Sequence, residues 1–186
     1  MLVKDIIKKV VNYTNNFDLF KAVESGTFTE EQTKEINLLV DCVNLTNSNI
    51  AANYVKLYDT KSLKVRDGLI PFSELSAQTI YDIVSVKDVN GRTVDFDILN
   101  NGLSVKVKEA IVKFTYFPED VKYEDELTNF KIKINERIFV YGVISEYLYV
   151  KGVFDEAEIW EEKFKNELKN CLRTVKSHRT AKRRWF

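Results

Sequence analysis

Apolar positions along this chain recur first with a helical period, then with a period of two, then with a helical period again. Leu2, Val3, Ile6, Ile7, Val10 and Val11 fall at i, i+3/i+4 and i+7, which predicts an amphipathic helix of three or four turns. The stretch from Asn15 to Thr29, with Gly26 inside it, reads as irregular. Thr29-Glu30-Glu31-Gln32 is a capping-box pattern, so a second helix is expected to start there, with its stripe running through Ile36, Leu39/Val40, Val43, Asn47, Ile50, Tyr54 and Leu57. Asn47 interrupts that stripe; a polar residue in such a seam either fixes register or is tolerated near an edge.

From about Lys61 the period changes. Ile80, Asp82, Val84 and Val86 alternate with Tyr81, Ile83, Ser85 and Lys87, Asn90-Gly91 supplies a tight turn, and a return strand is expected over Thr93 to Ile98. Asn100-Asn101-Gly102 is a second turn, followed by strands over Leu103–Lys108 and Ala110–Phe117. With Leu69–Phe72 this makes four or five strands, too closely spaced for crossover helices and therefore antiparallel. Beyond Pro118 the helical period returns. Leu127, Phe130, Ile134, Ile138, Tyr141, Ser145 and Leu148 predict a helix opening at Glu126 and ending at Lys151-Gly152. Gly142 within it would admit a close neighbour. Asp155-Glu156-Ala157-Glu158 reads as the N-cap of a last helix through Trp160, Phe164, Leu168, Cys171/Leu172 and Val175.

The expected fold is therefore α+β: a helical bundle built from N- and C-terminal helices, with an antiparallel β meander inserted. The boundaries predicted are residues 1–58 for the N-terminal helices, 59–118 for the β domain, 119–175 for the C-terminal helical hairpin, and 176–186 for a basic arm.

Composition narrows the function. Of 186 residues 45% are apolar and 30% charged, the balance of a folded domain. The formal net charge is zero, but six of the 28 basic residues, Arg173, Lys176, Arg179, Lys182, Arg183 and Arg184, lie in the last fourteen positions, which hold no acid. The rest carries 22 basic against 28 acidic residues, a net of −6, and would repel a nucleic-acid backbone. The opening residues mix charge with apolar positions, unlike a signal peptide, and no run of about 18 apolar residues offers a membrane span. Cys42 and Cys171 each fall on a helix stripe and read as buried thiols.

Catalytic chemistry finds little support. The one histidine, His178, sits in the basic arm, which leaves the body without the usual general base or zinc ligand. Phosphate loops and nucleophile elbows are absent as motifs. The acidic groups Glu161-Glu162, Asp95/Asp97 and Asp120/Glu124/Asp125/Glu126 read more simply as solvated faces than as carboxylate dyads or cation sites. No catalytic residue, metal ligand or cofactor is assigned. Tyr141, Tyr147, Tyr149, Trp160 and Phe164 have helical spacing, consistent with core and seam or with a subunit interface.

The order of parts carries a resemblance. LIPFSELSAQTIYDIVSVKDVNGRTVDF, the strand IVKFTYFPEDV, and FVYGVISEYLYVKGVFDEAEIWEEKFKNELKNCLR follow one another after a pair of helices. With Tyr116-Phe117-Pro118, Tyr141-Gly142, Lys151-Gly152 and Glu158-Ile159-Trp160-Glu161 in their places, the chain resembles the head-to-tail connector, or adaptor, proteins of tailed bacteriophages. The resemblance implies a structural protein without catalytic activity, forming a homo-oligomeric ring of about twelve copies beneath the portal protein, extending the DNA channel and receiving the tail or further connector proteins. It places the protein in the neck of the virion, assembled in the bacterial host cytoplasm, with genomic DNA passing through without sequence-specific binding and no membrane involved. In such proteins the C-terminal segment reaches the portal or a neighbouring subunit. Here that segment comprises Arg173, Lys176, Arg179, Lys182, Arg183 and Arg184, suited to pairing with carboxylates, ahead of Trp185 and Phe186, residue types that anchor interfaces. The alternative is a small nucleic-acid-binding module that uses the same arm.

Overall fold

A computed structural model describes residues 1–127, 130 and 134–176, with side chains through Arg173. Among these the fold is α+β, six helices and six strands, with helices toward both termini and the β meander inserted between them. The chain divides into two compact units, one formed by residues 1–47 together with the chain from 120 onward, the other by Ser48–Glu119.

The first unit opens with α1 (Val3–Tyr13), whose Val3, Ile6, Ile7, Val10 and Val11 are all buried, as the helical spacing requires. Next comes α2 (Phe17–Ser25), in a stretch read from sequence as irregular. Its nine residues bury only Leu19 and Ala22, too few to display a 3.6-residue repeat, so its caps define it. The Asn16 side chain accepts from Leu19 N at 3.2 Å, and Gly26 closes the helix in the left-handed region at φ +70°. Then α3 (Glu30–Asn53) starts on the expected capping box: Thr29 N donates to Gln32 Oε1 (2.9 Å) and Gln32 N donates to Thr29 Oγ1 (3.2 Å). This helix ends at Asn53, not at Leu57, because Leu57 is taken into a strand ladder.

The segment after Asp120 departs most from expectation. No described residue between Asp120 and Asn135 is helical, although a helix was expected from Glu126. The backbone there is committed elsewhere: Val3 N donates to Asp125 O (3.0 Å) and Leu127 N to Met1 O (3.0 Å), while the Asn44 side chain takes both backbone groups of Val121, accepting from N (2.9 Å) and donating to O (3.1 Å). Leu127 and Ile134 remain buried, so their apolar spacing reports burial without a helix. The helix proper is α5 (Glu136–Val150), capped by the Asn135 side-chain Oδ1, which accepts from Arg137 N at 3.1 Å. After Lys151 and Gly152 (φ +76°) the chain reverses into α6 (Phe154–Lys176), which packs along α5. It begins one residue before Asp155, so Asp155 and Glu156 lie in its first turn, where carboxylates favour the helix N-terminus, and do not cap it.

Gly142 makes the close approach foreseen from sequence. A Cβ there would lie 2.5 Å from Thr46 Cγ2 on α3 and 3.1 Å from the Phe164 ring on α6, so α3, α5 and α6 meet at a position only glycine fills without displacement. Asn47, next to Thr46, is fully buried and therefore not at an edge of the seam.

The second unit holds β1 (Leu57–Lys64), β2 (Leu69–Pro71), a single helical turn α4 (Phe72–Leu75), β3 (Ile80–Lys87), β4 (Phe96–Leu99), β5 (Gly102–Val105) and β6 (Glu109–Tyr116). Its strands form two three-stranded antiparallel sheets, ordered β1-β6-β3 and β2-β5-β4. β6 is central to the first, pairing with β1 from Leu57↔Tyr116 to Lys64↔Glu109, and on its other side with β3 through two register shifts. Ala110, Val112 and Phe114 of β6 share one face by the period of two, and with Ile70, Leu75, Val86, Leu103 and Val105 they make the core of this unit. The β5 strand stops at Val105, short of Lys108. The Asn90-Gly91 turn forms, but the return strand expected over Thr93–Ile98 leaves β3 almost at once and pairs with β5 as β4. Gly102 allows this second sheet to close: a Cβ at that position would lie 2.3 Å from Ile70 O on β2.

Candidate interaction surfaces

Among the residues assigned to partner binding from sequence, Arg173 is exposed near the end of α6 and Lys176 is the last residue of that helix. Arg179, Lys182, Arg183, Arg184, Trp185 and Phe186 lie outside the described residues, as does His178. The surfaces defined by the described residues are elsewhere.

The first is the end of the α5–α6 hairpin. Val150 is 56% exposed and Phe154 60%, with Val153 beside them and the Tyr149 and Phe154 rings 6.4 Å apart. These apolar side chains follow from the reversal itself: the helical stripes stop burying residues where the chain turns. Asp155, Glu156 and Glu158 form an exposed acidic collar on the α6 side.

A second group lies along the same hairpin, against α3. The Tyr147 hydroxyl donates to Glu35, and Lys151 Nζ reaches the same carboxylate at 2.8 Å. Burial alone would raise the Glu35 pKa, but these two donors outweigh it and hold the carboxyl below its ordinary value. The Tyr147 phenol is pushed up by burial first, then by the Glu35 hydrogen bond and charge. Neighbouring Glu146 is raised, by burial first and by the Glu161 charge second. Cys42, buried nearby on α3, is pushed up to about 12 by burial with Glu146, Asp41 and Glu35 adding, so it is a protonated packing residue and not a nucleophile. The Glu35 charge is paired off by Lys151 and Tyr147, whereas that of Glu146 is disfavoured by burial and by Glu161.

The aromatic residues divide between core and surface. Phe164 is buried, whereas Trp160 is half-buried between Tyr141 (5.3 Å between centroids) and Tyr13 (5.8 Å), with Lys163 Nζ 3.9 Å from its ring centre. Three of the eight acidic residues singled out from sequence are engaged. Glu124 pairs with Lys4 at 2.8 Å, the Asp125 carboxylate accepts from Lys122 N, and Glu161 pairs with Lys165 at 2.6 Å, while Asp95 and Asp97 are exposed. Among the described residues no three of His, Cys, Asp and Glu come together as a metal set, and no helix is long and apolar enough to cross a membrane.

The third surface belongs to the β unit and had no sequence signal. A cleft of about 420 Å³ is lined by Phe72 and Ser73 of α4, Ser76, Gln78 and Thr79, Ile80 to Ile83 of β3, and Ile98 of β4. Tyr81 and Ile98 are 47% and 63% exposed, and the Tyr81 ring stands edge-on to Phe117 at 5.1 Å. Only the departure of β4 from β3 creates this cleft, and that depends on pairing with β5, which alternation along β3 and β4 does not encode.

The chain matches no protein-family model, and no curated protein matches it.

Proposed function

We propose that this chain is a non-enzymatic structural protein of a tailed-phage virion: an adaptor that forms a homo-oligomeric ring, joins the portal to the tail and extends the DNA channel. The resemblance in the order and wording of its segments supplies the family. The observation that carries the reading further is the pair of exposed apolar patches on different units, Val150, Val153 and Phe154 at the hairpin end and Tyr81 and Ile98 in the β unit. Apolar patches left in water mark contact sites, and two unlike patches on one chain suit the heterologous contacts that close into rings.

Particle imaging of the purified chain mixed with its portal tests the reading. A ring of this protein seated on the portal is expected, with the same chain recovered from intact virions. Absence of any ring on the portal, together with absence of the chain from virions, overturns the proposal; monomers in isolation do not, because assembly on the portal supplies the template.

A further inference from the structure

In the β unit, β3 and the chain that follows it begin as a hairpin and then part. Across the Asn90-Gly91 turn Asp88 N donates to Arg92 O (2.9 Å), Lys87 bridges Thr93, and Val94 N donates to Val86 O (3.0 Å). Pairing stops there. From Phe96 onward the returning chain is bonded to β5, with Phe96 opposite Val105 and Leu99 opposite Gly102. Both β3 and β4 thereby become outer strands of separate sheets, and the 420 Å³ cleft takes its lining from both, Ile80 to Ile83 and Ile98.

We propose that this cleft is an acceptor for an extended segment of a partner protein that carries a lysine or arginine flanked by β-branched or aromatic residues. Among the described residues, the backbone of Ile80 to Ser85 bonds only to β6, so its outward amides and carbonyls are open to another strand. Strand addition to such an edge draws affinity from main-chain hydrogen bonds and specificity from alternate side-chain pockets. Outer strands are ordinarily blunted by lysine, proline or a cover. In β3 the one lysine, Lys87, sits at the end already covered by Thr93, and Ile80 to Ser85 contains neither lysine nor proline. The two register shifts fall at Tyr81 and Val84, both exposed; bulges of this kind re-aim side chains, and Tyr81 is turned to the cleft.

The charge of the occupant follows from the rim. The Asp82 carboxylate has no ion pair, and the Ser73 and Thr79 hydroxyls have no hydrogen bond, among the described residues, while the Ser76 hydroxyl is used by Gln78 N (2.9 Å) and Gln78 by Glu119 (3.2 Å). Lys56 lies over the Tyr81 ring at 5.6 Å, and Lys61 Nζ is held by Glu74 O of α4 at 3.4 Å. Asp82 thus offers a carboxylate with no ion pair among the described residues beside the apolar surfaces of Phe72, Ile80 and Ile98, which a basic residue between apolar ones would satisfy. The volume lies within the roughly 300–1,000 Å³ of ordinary ligand sites. This inference concerns the β unit alone and does not rest on the adaptor reading.

A random heptapeptide library selected against the full chain tests it. The peptides retained should carry Lys or Arg between Val, Ile or aromatic residues, and amide exchange in the complex should slow at Tyr81 to Val84 and near Ile98. Asp82→Asn, an exposed change that leaves the fold intact by circular dichroism, should weaken the best peptide about tenfold in Kd. Proline placed at successive positions of that peptide should abolish binding at alternate sites, as a paired strand requires. Failure to enrich any basic peptide, protection confined to other residues, or indifference to Asp82→Asn overturns the proposal.

Discussion

Glu35 shows how single side chains set the pH response of the helical unit. Its carboxyl is held below the ordinary 4.5 by Lys151 and Tyr147 against the opposing effect of burial. A depressed acid contributes stability that is present above its unfolded pKa and lost as pH falls through the lower folded one. Glu146 has the opposite sign: its pKa is raised, so its relative contribution is fullest below 4.5 and lost as pH rises through the folded value. Glu35→Gln should therefore cost about 1 kcal/mol or less at pH 7 and nothing at pH 2.5, whereas Glu146→Gln should stabilise at pH 7 and be neutral at low pH. Urea midpoints at the two pH values check this; parallel pH profiles for wild type and Glu35→Gln would contradict the assignment. At this scale the sequence is legible where partners are local. The Thr29–Gln32 capping box needs only three residues of separation, but the Asn44 clamp on Val121 spans 77 positions and leaves no local mark.

Between elements, the tightest constraint is the crossing at Gly142. Alanine would gain about 1 kcal/mol of helix propensity there, but its methyl would meet the buried, β-branched Thr46 at 2.5 Å. The clash wins, and Gly142→Ala should destabilise by about 1–3 kcal/mol. Thr46→Ser removes the methyl in question, so the double variant should recover part of the loss in a double-mutant cycle read by chemical denaturation. Strict additivity would show that the two positions do not press on each other. Elements whose stripe runs several turns, α1 and most of α3, were readable, as were β6 and the Asn90-Gly91 turn. Three others were not. α2 is too short to show a period; β1 mixes Asp59 and Lys61 into the face it shares with Phe114 and Val112 of β6, blurring its alternation; and Leu127 to Ile134 is spaced like a helix while Leu127 N is bonded to Met1 O. Local caps decided the first, and tertiary pairing the other two.

For the whole molecule, the division of charge is the feature composition alone exposes. Residues 176–186 carry five basic residues and no acid, so their removal leaves 23 basic against 28 acidic residues and a net charge of −5. Deleting Lys176–Phe186 should leave the circular dichroism spectrum and Tm within about 2 °C of the parent, because the buried apolar side chains among the described residues run no further than Leu168. On the adaptor reading it should reduce retention on the portal at least tenfold in a co-sedimentation assay. Unchanged retention would detach the arm from assembly, and DNA binding lost with the arm would favour the nucleic-acid alternative. The split into two units also has a consequence for how the chain acquires its shape. The β unit is continuous, from Ser48 to Glu119, and all its strands are present once that stretch has been synthesised. The first unit is not: α1 packs on the neighbouring α2 but also on the distant α5, and Met1 and Val3 are bonded to residues 127 and 125. At about 5–20 residues per second, the buried stripe of α1 must wait roughly 7–30 seconds on the ribosome for its partners, while the inserted domain can already be closed. Residues made later, Asp125, Leu127 and α5, thus complete the packing of residues made earlier.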